Sequence, residues 1–162
     1  MSEQEVRWLT EPEMLAWRAL VHTTTGLLGT LDNDLQAGHG LSFGDYEVLV
    51  HLSEAPGRAI RMSELAGRLR LSPSGITRRI DGLVNSGLVE RSPCPNDRRG
   101  SNAVLTALGL ETLRAAAPTH VRGVRAHFID RLTVAQLEEL TAALSSIEVD
   151  EAGAAGGCDQ AV

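Results

Sequence analysis

Between Ser72 and Leu105 the hydrophobic pattern of this chain switches from a helical period to an alternating one, and turn-forming residues bracket the switch. Ser72-Pro73 reads as a helix start, because serine caps well and proline is tolerated at the first helical position. Ile76, Ile80, Leu83 and Val84 then keep helical spacing up to Asn85-Ser86-Gly87, where glycine suits the left-handed position beyond a helix end. Two strand patterns follow, Leu88 to Ser92 and Ser101 to Leu105, on either side of the turn cluster SPCPNDRRGS. A capped helix that runs directly into a hairpin leaves few architectures open.

The flanking segments narrow them further. Thr10-Glu11-Pro12-Glu13 is a capping signature, and Leu15, Ala19, Leu27, Leu28, Leu31 and Leu35 predict a long amphipathic helix ending near Gly38-His39-Gly40. Ser42 to Asp45 opens a second helix with Tyr46, Leu49, Val50 and Leu52, which Ala55-Pro56-Gly57 stops. Ala59-Ile60-Arg61 reads as a short strand, and Ser63 to Leu71 as a short helix with Leu65, Ala66 and Leu69 on one side. Beyond the hairpin, Thr106 starts a long helix reaching Phe128, with a kink expected at Pro118. Thr133 to Gln136 is another capping box, leading into Leu137, Leu140, Leu144 and Ile147. The fold class is therefore mainly α with a small β-hairpin wing, a winged helix-turn-helix.

The 162 residues suit one domain with appendages. Residues 1–9 form an N-terminal extension, and residues 149–162 carry no core-forming pattern and are expected to be a disordered tail. No apolar run approaches the ~20 residues of a membrane span, no secretory segment is evident, and Cys94 and Cys158 lie far apart, so a cytoplasmic protein with no membrane partner is expected.

The net charge of −6 alone argues against nucleic acid, but its distribution does not. From Arg58 to Gly100 there are nine arginines against four acids, or +5; the rest of the chain has six against seventeen, or −11. Arginine suits planar, bidentate recognition of phosphate and guanine. With Ile76, Ile80 and Leu83 turned inward, the helix after Ser72 presents Ser74, Arg78, Asp81 and Asn85, flanked by Gly75, Thr77 and Arg79. Short hydrogen-bonding residues and arginine on one face suit a helix lying in a major groove; a solvated amphipathic face would show a similar composition. At the hairpin tip, Asp97 would orient Arg98 or Arg99 toward a narrow minor groove while Gly100 turns the chain back.

Asp97-Arg98-Arg99, then five residues, then Leu105-Thr106, placed directly after a helix-turn-helix, resembles the wing of the multiple antibiotic resistance regulator (MarR) family of bacterial transcription factors. Met62-Ser63-Glu64-Leu65-Ala66 and Leu83 to Val89 (LVNSGLV) match locally, and the resemblance covers residues 10–148. It implies dimerisation helices over 10–40 and 106–148 and a DNA-binding lobe over 42–105. It further implies a homodimer on double-stranded DNA, a recognition helix over Ser72 to Asn85 with contacts from Ser72, Ser74, Gly75, Thr77, Arg78 and Arg79, and a wing of Asp97, Arg98, Arg99 and Gly100. The expected function is that of a ligand-responsive repressor on a pseudo-palindromic operator. A winged-helix protein with an architectural or activator role and no effector is the alternative, and a helical enzyme or partner-binding domain is a third.

The resemblance also implies a small aromatic or phenolic effector bordered by Trp17, Arg18, His22, Tyr46 and His51, positions that equally suit packing or surface roles. Cys94, between two prolines and near Arg91 and Arg98, is a weak redox candidate. His22, His39, His51, His120 and His127 show no metal-binding spacing, so neither metal nor cofactor is expected. No HExxH, GxSxG, Walker or GxGxxG motif is present, and no catalytic residue is assigned.

If Asp97 acts only by orienting Arg99, their effects on DNA affinity are coupled. Arg99→Ala should remove most of the wing's contribution and lower the salt dependence by about one counterion. Asp97→Ala should cost less, and almost nothing once Arg99 is gone. A double-mutant cycle of DNA affinity measured at several salt concentrations checks this, and strict additivity would rule the bracing out.

Overall fold

The computed structural model describes residues 6–94 and 97–147, with the backbone alone at 97–99; Pro95, Asn96, Cys158 and the rest of the 149–162 tail lie outside the described residues. The first helix, α1, spans Glu11–His39. Its start is closed by the Glu13 carboxylate, which accepts from the Thr10 N–H at 2.7 Å and from the Thr10 hydroxyl at 2.9 Å. It ends at Gly40, whose φ of 64° lets its N–H turn back to the Gln36 carbonyl at 3.0 Å. Of its 29 residues only Leu31 and Leu35 are buried.

Helix α2 (Phe43–Glu54) is capped twice. The Ser42 hydroxyl accepts from the Asp45 N–H at 3.1 Å, and Asp32 of α1 accepts the Phe43 N–H at 2.7 Å. Strand β1 (Ala59–Arg61) leads into α3 (Met62–Arg68) and α4 (Pro73–Asn85). The observed α3 ends at Arg68, short of the expected Leu71, because Arg70 takes a positive φ of 51° and closes the helix with two reversed hydrogen bonds. Strands β2 (Val89–Cys94) and β3 (Asp97–Leu105) are longer than the alternation indicated, since the backbone keeps pairing on both sides of the turn cluster. The sheet is antiparallel with order β1-β3-β2, in the register Ile60↔Ala103 and Val89↔Leu105.

Helix α5 (Ala107–His127) runs unbroken through Pro118. A 3-10 turn over Ile129–Arg131 follows, and α6 (Val134–Ser145) starts at a Thr133–Gln136 capping box. The core lies beneath the helix-turn-helix and sheet: Leu49, Leu52, Leu65, Ile80 and Val89 are fully enclosed, and α5 contributes Leu113 and Ala116. The distribution of burial is uneven. No residue of α6 is buried, while Leu15, Trp17, Leu20, Val21 and Leu28 of α1 and Val121 of α5 are exposed.

Two glycines set how closely α5 approaches its neighbours. A β-carbon on Gly123 would sit 2.8 Å from Leu31 Cδ2, so α1 and α5 touch there almost backbone to side chain. A β-carbon on Gly109 would overlap the Leu88 carbonyl oxygen and lie 2.8 Å from Leu105 Cδ1. Gly109→Ala should therefore lose roughly 1–3 kcal/mol by overpacking. Gly82→Ala, in α4 with open space around it, should gain up to about 1 kcal/mol from helix propensity. Thermal melts of the two variants check the pair; similar shifts for both would show that the Gly109 contact yields without cost.

Candidate nucleic-acid interface

Helix α4 is built to present its first turns. The Ser72 hydroxyl accepts from the Gly75 N–H at 3.1 Å, which closes the helix start. A β-carbon at Gly75 would stand 3.1 Å from that same hydroxyl oxygen, so the cap itself favours a residue without a side chain there. Ile76, Ile80 and Leu83 are buried, leaving Ser74, Thr77, Arg78 and Asp81 exposed on the other side. Thr77 donates its hydroxyl proton back to the Pro73 carbonyl at 2.8 Å, so its free lone pairs face outward. Arg78 makes no hydrogen bond or ion pair among the described residues.

Arg79 is placed differently. Its guanidinium turns toward α2 and meets Asp45 Oδ1 at 3.1 Å, with both side chains 30% exposed. It lies flat over Gly44, where an added β-carbon would collide with it. Asp45 also accepts the Ser42 hydroxyl proton at 2.6 Å, so one carboxylate holds the start of α2 and the middle of α4 together. On the opposite flank, Arg91 of β2 pairs with Asp81 of α4 at 2.8 Å. The exposed helix is thus pinned from two sides. Sequence reading missed both struts, because the partners lie 34 and 10 residues apart and follow no local period.

The wing backbone follows directly from β2 and β3. The side chains of Asp97, Arg98 and Arg99 lie outside the described residues, and Gly100 sits in β3 just beyond them. Cys94 donates its thiol proton to Asn102 Oδ1 at 3.0 Å across the hairpin, in a half-buried position. At the base of the wing Leu105 is buried, and the Thr106 hydroxyl lies 2.8 Å from the Gly87 carbonyl and 3.1 Å from that of Leu88, while accepting the Gly109 N–H at 2.9 Å.

The five effector candidates do not converge. Trp17, Arg18 and His22 line an open groove with Val21, Thr25 and Gly26, all on α1. Tyr46 is buried on α2 with its ring 4.7 Å from that of His120, and burial raises its phenol above the usual range. His51 is half-buried on α2 and does not line that groove. Sequence reading did not single out His120. Its ring lies against Phe43 and Tyr46, its Nδ1 is buried with no hydrogen-bond partner among the described residues, and burial lowers its pKa. Among the described residues no group of three or more His, Cys, Asp or Glu side chains could hold a metal ion, and no helix is long and apolar enough to cross a membrane.

A helix-turn-helix whose second helix is exposed and followed by an antiparallel hairpin defines a winged-helix protein. Comparison with known proteins narrows the class. The MarR family model matches residues 39–100. The chain is similar to the crystal structure of AbsC, a MarR family transcriptional regulator from Streptomyces coelicolor, with 47% identity, 87% of this chain and 95% of that one covered, and a TM-score of 0.82. It is similar to Sco3205, a MarR family regulator from the same organism crystallised in complex with DNA, with 40% identity, 89% and 90% coverage, and a TM-score of 0.84. It also shares 33% identity with the HTH-type transcriptional repressor YetL of Bacillus subtilis over 56% of this chain, a match spanning only about half (54%) of that relative. The chain belongs to the MarR family of transcriptional regulators.

The Asp45–Arg79 strut predicts coupled stability. Asp45→Ala and Arg79→Ala should each destabilise, with a coupling of about 1 kcal/mol after solvent screening of this half-exposed pair. Arg79→Ala should also leave the salt slope of DNA binding unchanged, because the guanidinium is occupied within the protein. A urea-unfolding double-mutant cycle, alongside binding at several salt concentrations, reads both. Additive stabilities with a slope lower by about one counterion per protomer would make Arg79 a phosphate ligand instead.

Proposed function

We propose that this protein is a sequence-specific DNA-binding transcriptional regulator that acts as a homodimer on a pseudo-palindromic operator, as a ligand-responsive repressor. The observation that carries the DNA reading is the exposed Ser74, Thr77 and Arg78 face of α4, rigidly held beside a hairpin within the arginine-rich part of the chain. Helix and wing would take different roles, base edges in the major groove for α4 and the flanking minor groove for Arg98 or Arg99. The complex of the similar S. coelicolor regulator with DNA supports this reading.

The homodimer is supported by the apolar residues left exposed on α1, α5 and α6, a pattern that marks a surface meant for a partner. Two lobes related by two-fold symmetry would then read half-sites about one helical turn, ~10 bp, apart. Effector response is supported by the α1 groove at Trp17, Arg18 and His22, which a second wall would enclose. The separation of that groove from Tyr46 and His51 favours a second reading, the same DNA-binding regulator with no small-molecule effector.

Binding to the gene's own upstream DNA, in competition with random duplex, tests the conclusion. The operator should win by at least a hundredfold, and Arg78→Ala should cost ~1–3 kcal/mol on the operator and less on random DNA. Sedimentation equilibrium should show a dimer at micromolar concentration. A folded monomer, or equal affinity for both duplexes, would overturn the proposal.

A further inference from the structure

The turn of the helix-turn-helix is a left-handed helix end, and the residue in the left-handed position is an arginine. At the end of α3 the Leu71 N–H donates to the Ala66 carbonyl at 2.9 Å and the Arg70 N–H to the Gly67 carbonyl at 3.0 Å. This doubled bond requires a positive φ at the residue after the cap, a place glycine normally fills. The end of α4 is built in the same way: Leu88 donates to Leu83 and Gly87 to Val84, both at 2.9 Å, and the left-handed residue is Gly87, with φ of 74°. The long helix α1 likewise ends on left-handed Gly40. Only at the end that leads into α4 does this set of three carry a side chain, on Arg70 with φ of 51°.

A β-carbon at positive φ is strained, and such strain persists where the side chain has a use. No such use is seen among the described residues. Arg70 is exposed and makes no hydrogen bond or ion pair among the described residues. Neighbouring arginines do: Arg68 with Glu64 at 2.6 Å, Arg79 with Asp45 and Arg91 with Asp81. Arg70 stands two residues before the Ser72 cap of α4, at the end of the helix whose first turns are offered to DNA. We propose that Arg70 is a further DNA contact, donating to a phosphate oxygen beside the groove that α4 enters. The inference rests on the DNA-binding reading above and adds a residue to it. The contact would position the helix without reading sequence.

Glycine is the discriminating substitution, because it relieves the backbone while removing the charge. In the full-length protein Arg70→Gly should leave the melting temperature unchanged or raise it by up to about 4 °C. It should weaken binding to operator and random duplex by the same factor, about tenfold. The slope of log K against log salt should become shallower by about 1.8, about 0.9 for each of the two Arg70 side chains of the bound dimer. Arg70→Lys should keep the slope. Arg58→Gly removes the other left-handed arginine, with φ of 56° and far from α4 in sequence, and should leave the slope as it was. Unchanged affinity and slope in Arg70→Gly, or a lower melting temperature with an unchanged slope, would overturn the assignment. So would an equal loss in Arg58→Gly, which would show a general effect of lobe charge. If the unmodified protein binds neither duplex, the DNA-binding reading falls together with this one; normal binding that Arg70→Gly does not disturb removes this one alone.

Discussion

The Thr106 hydroxyl is the point on which the rest of the arrangement depends. It lies against the Gly87 and Leu88 carbonyls, accepts the Gly109 N–H, and its own backbone N–H donates to Leu88 at 3.1 Å. Four chain segments meet there: the end of α4, the start of β2, the end of β3 and the first turn of α5. One hydroxyl thus caps α5 and sets the distance between the exposed helix and the long arm. Gly109 lets the contact close, since any side chain would enter the space of the Leu88 carbonyl. The Leu-Thr pair that ends the wing pattern has a physical reason here: Leu105 fills the core and Thr106 ties the knot beside it.

From that knot the helix-turn-helix gains its rigidity in stages. Ile76, Ile80 and Leu83 seat α4 on the core, where burial of such side chains contributes ~1.5–3 kcal/mol each. The ion pairs to Asp45 and from Arg91 add less energy but fix rotation about the helix axis. Positive charge in this lobe is therefore of two kinds. Some arginines are spent on internal geometry, and others, Arg78 and Arg70 among them, have no partner among the described residues. Counting charge along the chain cannot separate the two.

The arm helices obey a different balance. The lobe encloses a core of its apolar residues, whereas α6 buries none and α1 buries two of its 29 residues. Helix α1 touches the rest of the chain near its end, through Leu31, Leu35 and the Asp32 bond to Phe43, and leaves its first half open. The proposed second copy would cover that surface. Asp32 and the Phe43–Tyr46–His120 contact join α1, α2 and α5 next to Asp45.

Much of this was legible in the chain itself. The starts at Thr10, Ser42, Ser72, Thr106 and Thr133, the stop near Gly38-His39-Gly40, the left-handed end at Gly87, and the switch from helical to alternating spacing at Leu88 all depend on residues within a few positions of one another. Local hydrogen bonding and side-chain periodicity decide them, so sequence alone determined the order of elements and the winged-helix class. The end of α3 escaped because Arg70 occupies a position where glycine would have marked the stop. The long wing strands escaped because prolines and charges obscured the pairing of β2 with β3. Only tertiary structure decided that Arg79 is a strut, that Gly109 is a contact, and that Trp17 and Tyr46 face different surroundings. Each of those outcomes depends on residues distant in the chain being brought within a few ångströms, a separation that packing sets and local propensity does not encode.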